Sequence, residues 1–68
     1  MTTIELIQEI TKLANKKNVE FVLQIHNENS FTIAVLNGNC EQIAEWCVRE
    51  NDDRIEQLEN VKSWLVEL

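Results

Sequence analysis

The chain has 68 residues, 44% of them hydrophobic, and a formal net charge of −6. That length holds a single domain, residues 1–68, and the apolar fraction is typical of a folded protein rather than of a disordered segment. The negative charge opposes direct binding to nucleic acid phosphates and to anionic membrane surfaces. We therefore expect one small folded domain with no direct nucleic acid partner and no membrane partner.

An amphipathic helix is predicted from Thr2 to about Lys17. Thr2 and Glu5 have the spacing of a capping box, in which each residue satisfies a free backbone N–H of the other. The apolar residues of this segment recur at three- and four-residue intervals, which places them on one helical face. They are Leu6, Ile7, Ile10, Leu13 and Ala14.

An antiparallel hairpin is predicted to follow the helix. From Val19 to His26 apolar residues alternate with mostly polar ones, which is the period of a half-buried strand. A second alternating run extends from Phe31 to Leu36, and the residues between the runs, 27–29, are of turn-forming types.

Two interpretations compete after Leu36. The Asn37-Gly38 pair is typical of a tight turn that leads into a third strand. Asn39 and Gln42, however, have capping-box spacing, and four of the next residues form a helical stripe. These four are Cys40, Ile43, Ala44 and Cys47, with Trp46 on the flank. The helix is the preferred interpretation.

A last helix is predicted from Asp53, which forms a third capping box with Glu56. Its apolar stripe consists of Ile55, Leu58, Val61, Leu65 and Leu68. The predicted fold class is therefore α+β with element order αββαα, an antiparallel β-hairpin packed against helices.

The sequence offers no constellation for catalysis, so we expect no enzyme, no cofactor and no metal site. His26 is the only histidine and fits an ordinary surface position, and the carboxylate pairs Glu5/Glu9 and Glu41/Glu45 fit solvated helix faces. Cys40 and Cys47 would lie about 10 Å apart on a helix, too far for a disulfide. Both are expected to be small buried residues. Free cysteines, and the lack of a continuous apolar stretch near Met1, predict a cytoplasmic protein.

Acidic residues are concentrated in the second half of the chain, where Arg49 and Arg54 offset few of them. Carboxylates three or four residues apart on a helix lie about 5–6 Å from each other, comparable with the separation of phosphates along a nucleic acid strand. The sequence therefore predicts a protein partner with a basic surface. The predicted partner-binding residues are Glu50, Asp52, Asp53, Glu56, Glu59 and Trp64.

The predicted order and the acidity resemble those of small phage inhibitors of CRISPR nucleases, several of which mimic DNA. That resemblance implies an inhibitor that occupies a nucleic-acid-binding surface of a larger protein. The alternative is a structural or regulatory homodimer, or a subunit of a complex, that uses the hairpin edge and the C-terminal helix. The unpaired strand edges and the apolar residues beyond the helix stripe, Trp64 and Val66, favour this alternative.

Overall fold

A computed structural model describes residues 2–68 of the chain. It contains two helices, α1 and α2, and a three-stranded antiparallel sheet of strands β1, β2 and β3. In chain order the elements are α1 (Thr3–Lys16), β1 (Glu20–Asn27), β2 (Ser30–Leu36), β3 (Gln42–Val48) and α2 (Arg54–Glu67). The α+β class, with a hairpin packed against helices, is confirmed.

Both helices begin at predicted capping residues. The Thr2 hydroxyl accepts a hydrogen bond from the Glu5 backbone N–H at 3.2 Å, and the Asp53 carboxylate accepts one from the Glu56 N–H, also at 3.2 Å. Each bond satisfies a donor that has no partner inside the helix. The first helix ends at Lys16, and Asn18 then takes a left-handed backbone (φ 60°), which an asparagine tolerates.

The predicted hairpin is confirmed. Phe21, Leu23 and Ile25 of β1 lie opposite Val35, Ile33 and Phe31 of β2. This register puts the apolar residues of both strands on one face of the sheet, because side chains of a strand alternate between the faces. Polar side chains, among them His26 and Thr32, lie on the other face.

The segment predicted as a second helix is instead β3, so the element order is αβββα. Ile33 lies opposite Trp46, and Phe31 lies opposite Val48. The helix prediction was wrong because this pairing with β2 outweighs the local helical pattern. The alternative interpretation, a turn at Asn37-Gly38 that leads into a third strand, was correct. Gly38 has no positive φ, however, and the turn is organised by Asn37.

The Asn37 side chain replaces the predicted Asn39 cap. Its Oδ1 accepts hydrogen bonds from the backbone N–H groups of Asn39 at 2.9 Å and Glu41 at 3.0 Å. Cys40 in the same turn has φ 63°. These bonds stabilise the turn, because the asparagine side chain binds backbone N–H groups that a helix would otherwise use at its start.

The core lies between the apolar face of the sheet and the two helices. Lys62 pairs with Glu9, and one turn further along each helix Val66 and Leu13 line a common groove, so the helices run in the same direction. The fully buried residues come from four of the five elements. They are Leu6, Ile10, Ala14, Ile33, Val35, Val48, Leu58, Val61 and Leu65. The opposite face of the sheet carries no helix.

Candidate acidic interface

The acidic residues predicted to bind a partner lie on the turn between β3 and α2 and on the first turns of α2. Asp52 and Asp53 help to shape this segment. The Asp52 Oδ2 atom accepts a hydrogen bond from the Arg49 backbone N–H at 2.8 Å, and Asp53 is the N-cap of α2. Their carboxylates therefore hold the turn in one geometry while remaining exposed to solvent.

Glu50, Glu56 and Glu59 are exposed and take no part in ion pairs within residues 2–68. Acidic side chains near a helix N-terminus are stabilised by the positive end of the helix dipole. Glu56 lies in the first turn of α2, where this effect is strongest. These three carboxylates form the part of the acidic group that is open to an external cation.

Arg54 connects the turn between β1 and β2 to the acidic residues of the turn between β3 and α2. The Arg54 Nη2 atom donates a hydrogen bond to the Glu28 backbone oxygen at 3.1 Å, and the guanidinium carbon lies 5.9 Å from the centre of the Phe31 ring. An open depression lined by Glu28, Arg49 and Glu50 separates the two turns. The sequence prediction missed Glu28, because only the antiparallel pairing of the strands brings the two turns together.

The fold separates charge along its length. We call the end of the molecule that carries the two turns and the N-termini of both helices the acidic end. Its charged residues are Glu5, Glu28, Glu50, Asp52, Asp53 and Glu56, with Arg49 and Arg54. The opposite end is balanced, with Lys12, Lys16 and Lys17 against Glu20, Glu41 and Glu67. The negative charge is therefore concentrated at one end, with Glu59 beside it on α2.

Lys62 and Glu9 form an ion pair between the helices, with Nζ and Oε2 2.8 Å apart. The hydrogen bond to Glu9 and its negative charge raise the pKa of Lys62 above 10.5. Because the folded-state pKa of Lys62 is raised, the stabilisation from this pair is present at neutral pH, where both side chains are charged, and is lost as the pH rises through the folded-state pKa of Lys62.

Replacing Glu9 with glutamine is expected to lower the pKa of Lys62, because both the charge and its acceptor strength are reduced. A titration of the Lys62 side chain followed by NMR measures this directly. Glu67→Gln is the matched control, since it removes a carboxylate that makes no hydrogen bond within residues 2–68. An unchanged Lys62 titration in Glu9→Gln would mean that the two side chains do not pair in solution.

Trp64 is half-buried and lies apart from the acidic end. Its ring meets that of Trp46 edge to face, with centroids 5.5 Å apart and planes at 77°. The two rings attach α2 to β3 and pack against the core. Trp64 follows the N-cap Asp53 by eleven residues, or about 16 Å along the helix axis. The structure therefore groups the five predicted acidic residues but does not bring Trp64 to them.

His26 and Cys47 lie on the uncovered face of the sheet, with Thr32 between them. The His26 Nε2 atom is 2.6 Å from the Thr32 hydroxyl, which donates to Cys47 Sγ at 4.0 Å. The Cys47 thiol also donates to the Glu45 carboxylate at 3.6 Å. No group of three or more metal-ligating side chains occurs among residues 2–68.

The prediction that the cysteines are buried was wrong. Both are free and exposed, because Cys40 lies in the turn before β3 and Cys47 points to the uncovered sheet face. We expect both thiols to react with a thiol-disulfide reagent in the native protein. Spectrophotometric titration of the free thiols without denaturant measures this, and Cys40→Ser and Cys47→Ser should each remove one equivalent. Reaction that requires denaturant would contradict the exposure of the thiols.

Comparison with known protein families, curated proteins and solved structures gives no match for this chain. The predicted element order, on which the resemblance to phage inhibitors of CRISPR nucleases partly rested, differs from the order in the structure. In the part of the chain that the structure describes, neither helix has the length and apolar character needed to cross a membrane.

Proposed function

We propose that the protein is a non-enzymatic binding module whose acidic end occupies a basic, nucleic-acid-binding surface of a larger protein. The observation that carries the proposal is the separation of charge. Exposed carboxylates outnumber arginines at the acidic end, whereas cations and anions balance at the opposite end. An overall charge of −6 would attract a basic partner, and its concentration at one end would orient the encounter.

Glu50, Glu56 and Glu59 make the main ionic contacts in this proposal, since none of them forms an ion pair within residues 2–68, although the charge of Glu59 also acts on Lys62. Asp52 and Asp53 contribute charge and hold the turn that presents Glu50. The Arg54 side chain is held against the Phe31 ring and the Glu28 backbone oxygen. It therefore reduces the net negative charge of the acidic end, but it does not cover the helix face that carries Glu56 and Glu59. Trp64 would contact a partner only at the margin, because its ring packs against Trp46 and the core.

Such a module acts as an inhibitor when its partner needs the same basic surface for DNA or RNA. The DNA-mimicking inhibitors of CRISPR nucleases are one class that works in this way, and the proposal extends to basic nucleic-acid-binding surfaces in general. The proposed location is the cytoplasm, where free thiols such as those of Cys40 and Cys47 persist.

A competition experiment tests the proposal. The protein is immobilised, incubated with cell lysate at about 50 mM and about 200 mM salt, and challenged with duplex DNA or with RNA. We expect nucleic-acid-binding proteins to be captured at low salt and to be released both by high salt and by added nucleic acid. Captured proteins that nucleic acid and salt leave in place would contradict the proposal.

A further inference from the structure

The outer edge of β1 is unpaired and suited to strand addition. The sheet order β1-β2-β3 leaves one free edge on β1 and one on β3. The β1 strand, Glu20–Asn27, contains no proline, glycine or lysine, the residues that most often block pairing at an edge. Its register with β2 is regular from Glu20 to Ile25 and shifts between Ile25 and Asn27. An added strand would therefore find a continuous row of backbone donors and acceptors along residues 20–25.

Apolar side chains are exposed beside this edge. Leu23 and Ile25 point to the helix-bearing face of the sheet, yet they are 37% and 73% exposed. On α1, the side away from α2 carries Ile7 and Ile4, and Ile4 is 69% exposed. Because α1 packs on β1 and α2 packs on β3, this side of α1 lies above the free edge of β1. The edge is therefore bordered by apolar surface that the monomer leaves uncovered.

Charge distinguishes the two edges. The β3 edge carries Glu45 within the strand and is flanked by Glu41 and Glu50, and its register is interrupted near Gln42. Two such edges would repel each other. The β1 strand carries Glu20 as its only acidic residue. Self-pairing is therefore less opposed at β1.

We propose that two copies of this chain pair through their β1 edges, antiparallel and centred on Leu23, to form a six-stranded sheet. In this register Phe21 lies opposite the partner's Ile25, and Leu23 lies opposite the partner's Leu23, all on the helix-bearing face. On the other face Glu20 lies opposite the partner's His26, the residue at which the register of β1 with β2 shifts. The His26 Nε2 atom is already bonded to Thr32, which leaves Nδ1 to meet that carboxylate.

The antiparallel arrangement also keeps like charges apart. Each acidic end points away from the other, and Lys12 and Lys16 of each copy line the groove between α1 and α2, away from the β1 edge. The two α1 helices then run antiparallel, so their dipoles oppose each other favourably. Two bodies that each carry −6 can associate in this way without bringing the carboxylates of Glu50, Glu56 and Glu59 face to face.

Sedimentation over a concentration series tests the proposal, with Ile25→Lys as the disrupting variant and Val66→Lys as the control. Both residues are exposed, Ile25 at 73% and Val66 at 55%, so neither substitution removes packing from the core. We expect wild-type protein and Val66→Lys to dimerise and Ile25→Lys to raise the dimer Kd at least about a hundredfold, since both copies lose an apolar contact. A monomeric wild type, or an Ile25→Lys variant that dimerises normally, would overturn the proposal.

A second measurement does not depend on any variant. In a sample mixed from isotope-labelled and unlabelled wild-type protein, NMR contacts between copies are expected between Phe21 and the partner's Ile25. Contacts between copies that involve β3 instead would overturn the proposed register. The paired residues, Phe21 to Ile25, lie outside the acidic end, and the sedimentation experiment contains no basic partner, so failure of dimerisation and failure of basic-partner binding are distinguishable results.

Discussion

Replacing Glu50, Glu56 and Glu59 together with lysine is expected to abolish binding to a basic partner while leaving the fold intact. These carboxylates are exposed and free of internal ion pairs within residues 2–68, so their loss removes no packing. Like charges placed opposite each other cost several kcal/mol, which predicts a rise in Kd of at least about a hundredfold. Calorimetric titration with the captured partner measures the change.

A matched control separates position from overall charge. Reversing Glu41, Glu45 and Glu67 to lysine makes the same change in net charge, from −6 to about 0, at the opposite end and on the uncovered sheet face. The control is expected to bind almost as tightly as wild type, with a loss of less than about tenfold. Equal losses in the two triple variants would show that net charge, and not the acidic end, governs binding.

Leu58→Ala is expected to lower the free energy of unfolding by about 2–5 kcal/mol, because it opens a cavity at the centre of the core. Leu58 is fully buried on α2 among the residues that join both helices to the sheet. A domain of this length has roughly 3–10 kcal/mol of stability in total. The variant should therefore be largely unfolded at physiological temperature, as followed by circular dichroism during urea and thermal denaturation.

Val66→Ala is the control for this prediction, since it also shortens an aliphatic side chain on α2 but at an exposed position. Its expected effect is within about 0.5 kcal/mol. If Leu58→Ala were as stable as Val66→Ala, the packing of α2 against the sheet would be incorrect.

The two helices and the hairpin were predictable from the sequence because their signals are local. Thr2 and Asp53 are capping residues followed at the correct spacing by glutamates, and both occupy the N-cap positions in the structure. In each strand of the hairpin every second residue is a large apolar one, Phe21, Leu23 and Ile25 in β1 and Phe31, Ile33 and Val35 in β2. Such signals depend only on residues within a few positions of each other, so no tertiary information is needed.

Strand β3 was placed second to a helix because its formation depends on residues that are distant in sequence. Residues 40–47 match a helical stripe as well as a strand, and the choice is made by contacts of Trp46 with Ile33 and of Val48 with Phe31. The same error placed the cysteines in the core. On a strand, Cys47 alternates to the uncovered face, whereas a helix would have turned it inward.

The acidic residues of the candidate interface were predictable as a group because they are close in sequence. The wider separation of charge was not, since it needs the direction of each element. The five elements alternate in direction, so α1 and α2 run the same way. The C-terminal half of α1, with Lys12 and Lys16, therefore lies at the end of the molecule opposite Asp53, the N-cap of α2. The position of Trp64 against Trp46 likewise follows from β3.

The dependence of Kd on salt concentration measures how many ionic contacts the acidic end makes with its partner. We expect log Kd to rise linearly with log salt for the wild type and for the control triple variant. The slope should fall sharply when Glu50, Glu56 and Glu59 are reversed. The same slope in all three proteins would contradict the proposed interface, because it would mean that the carboxylates of the acidic end make no ionic contact with the partner.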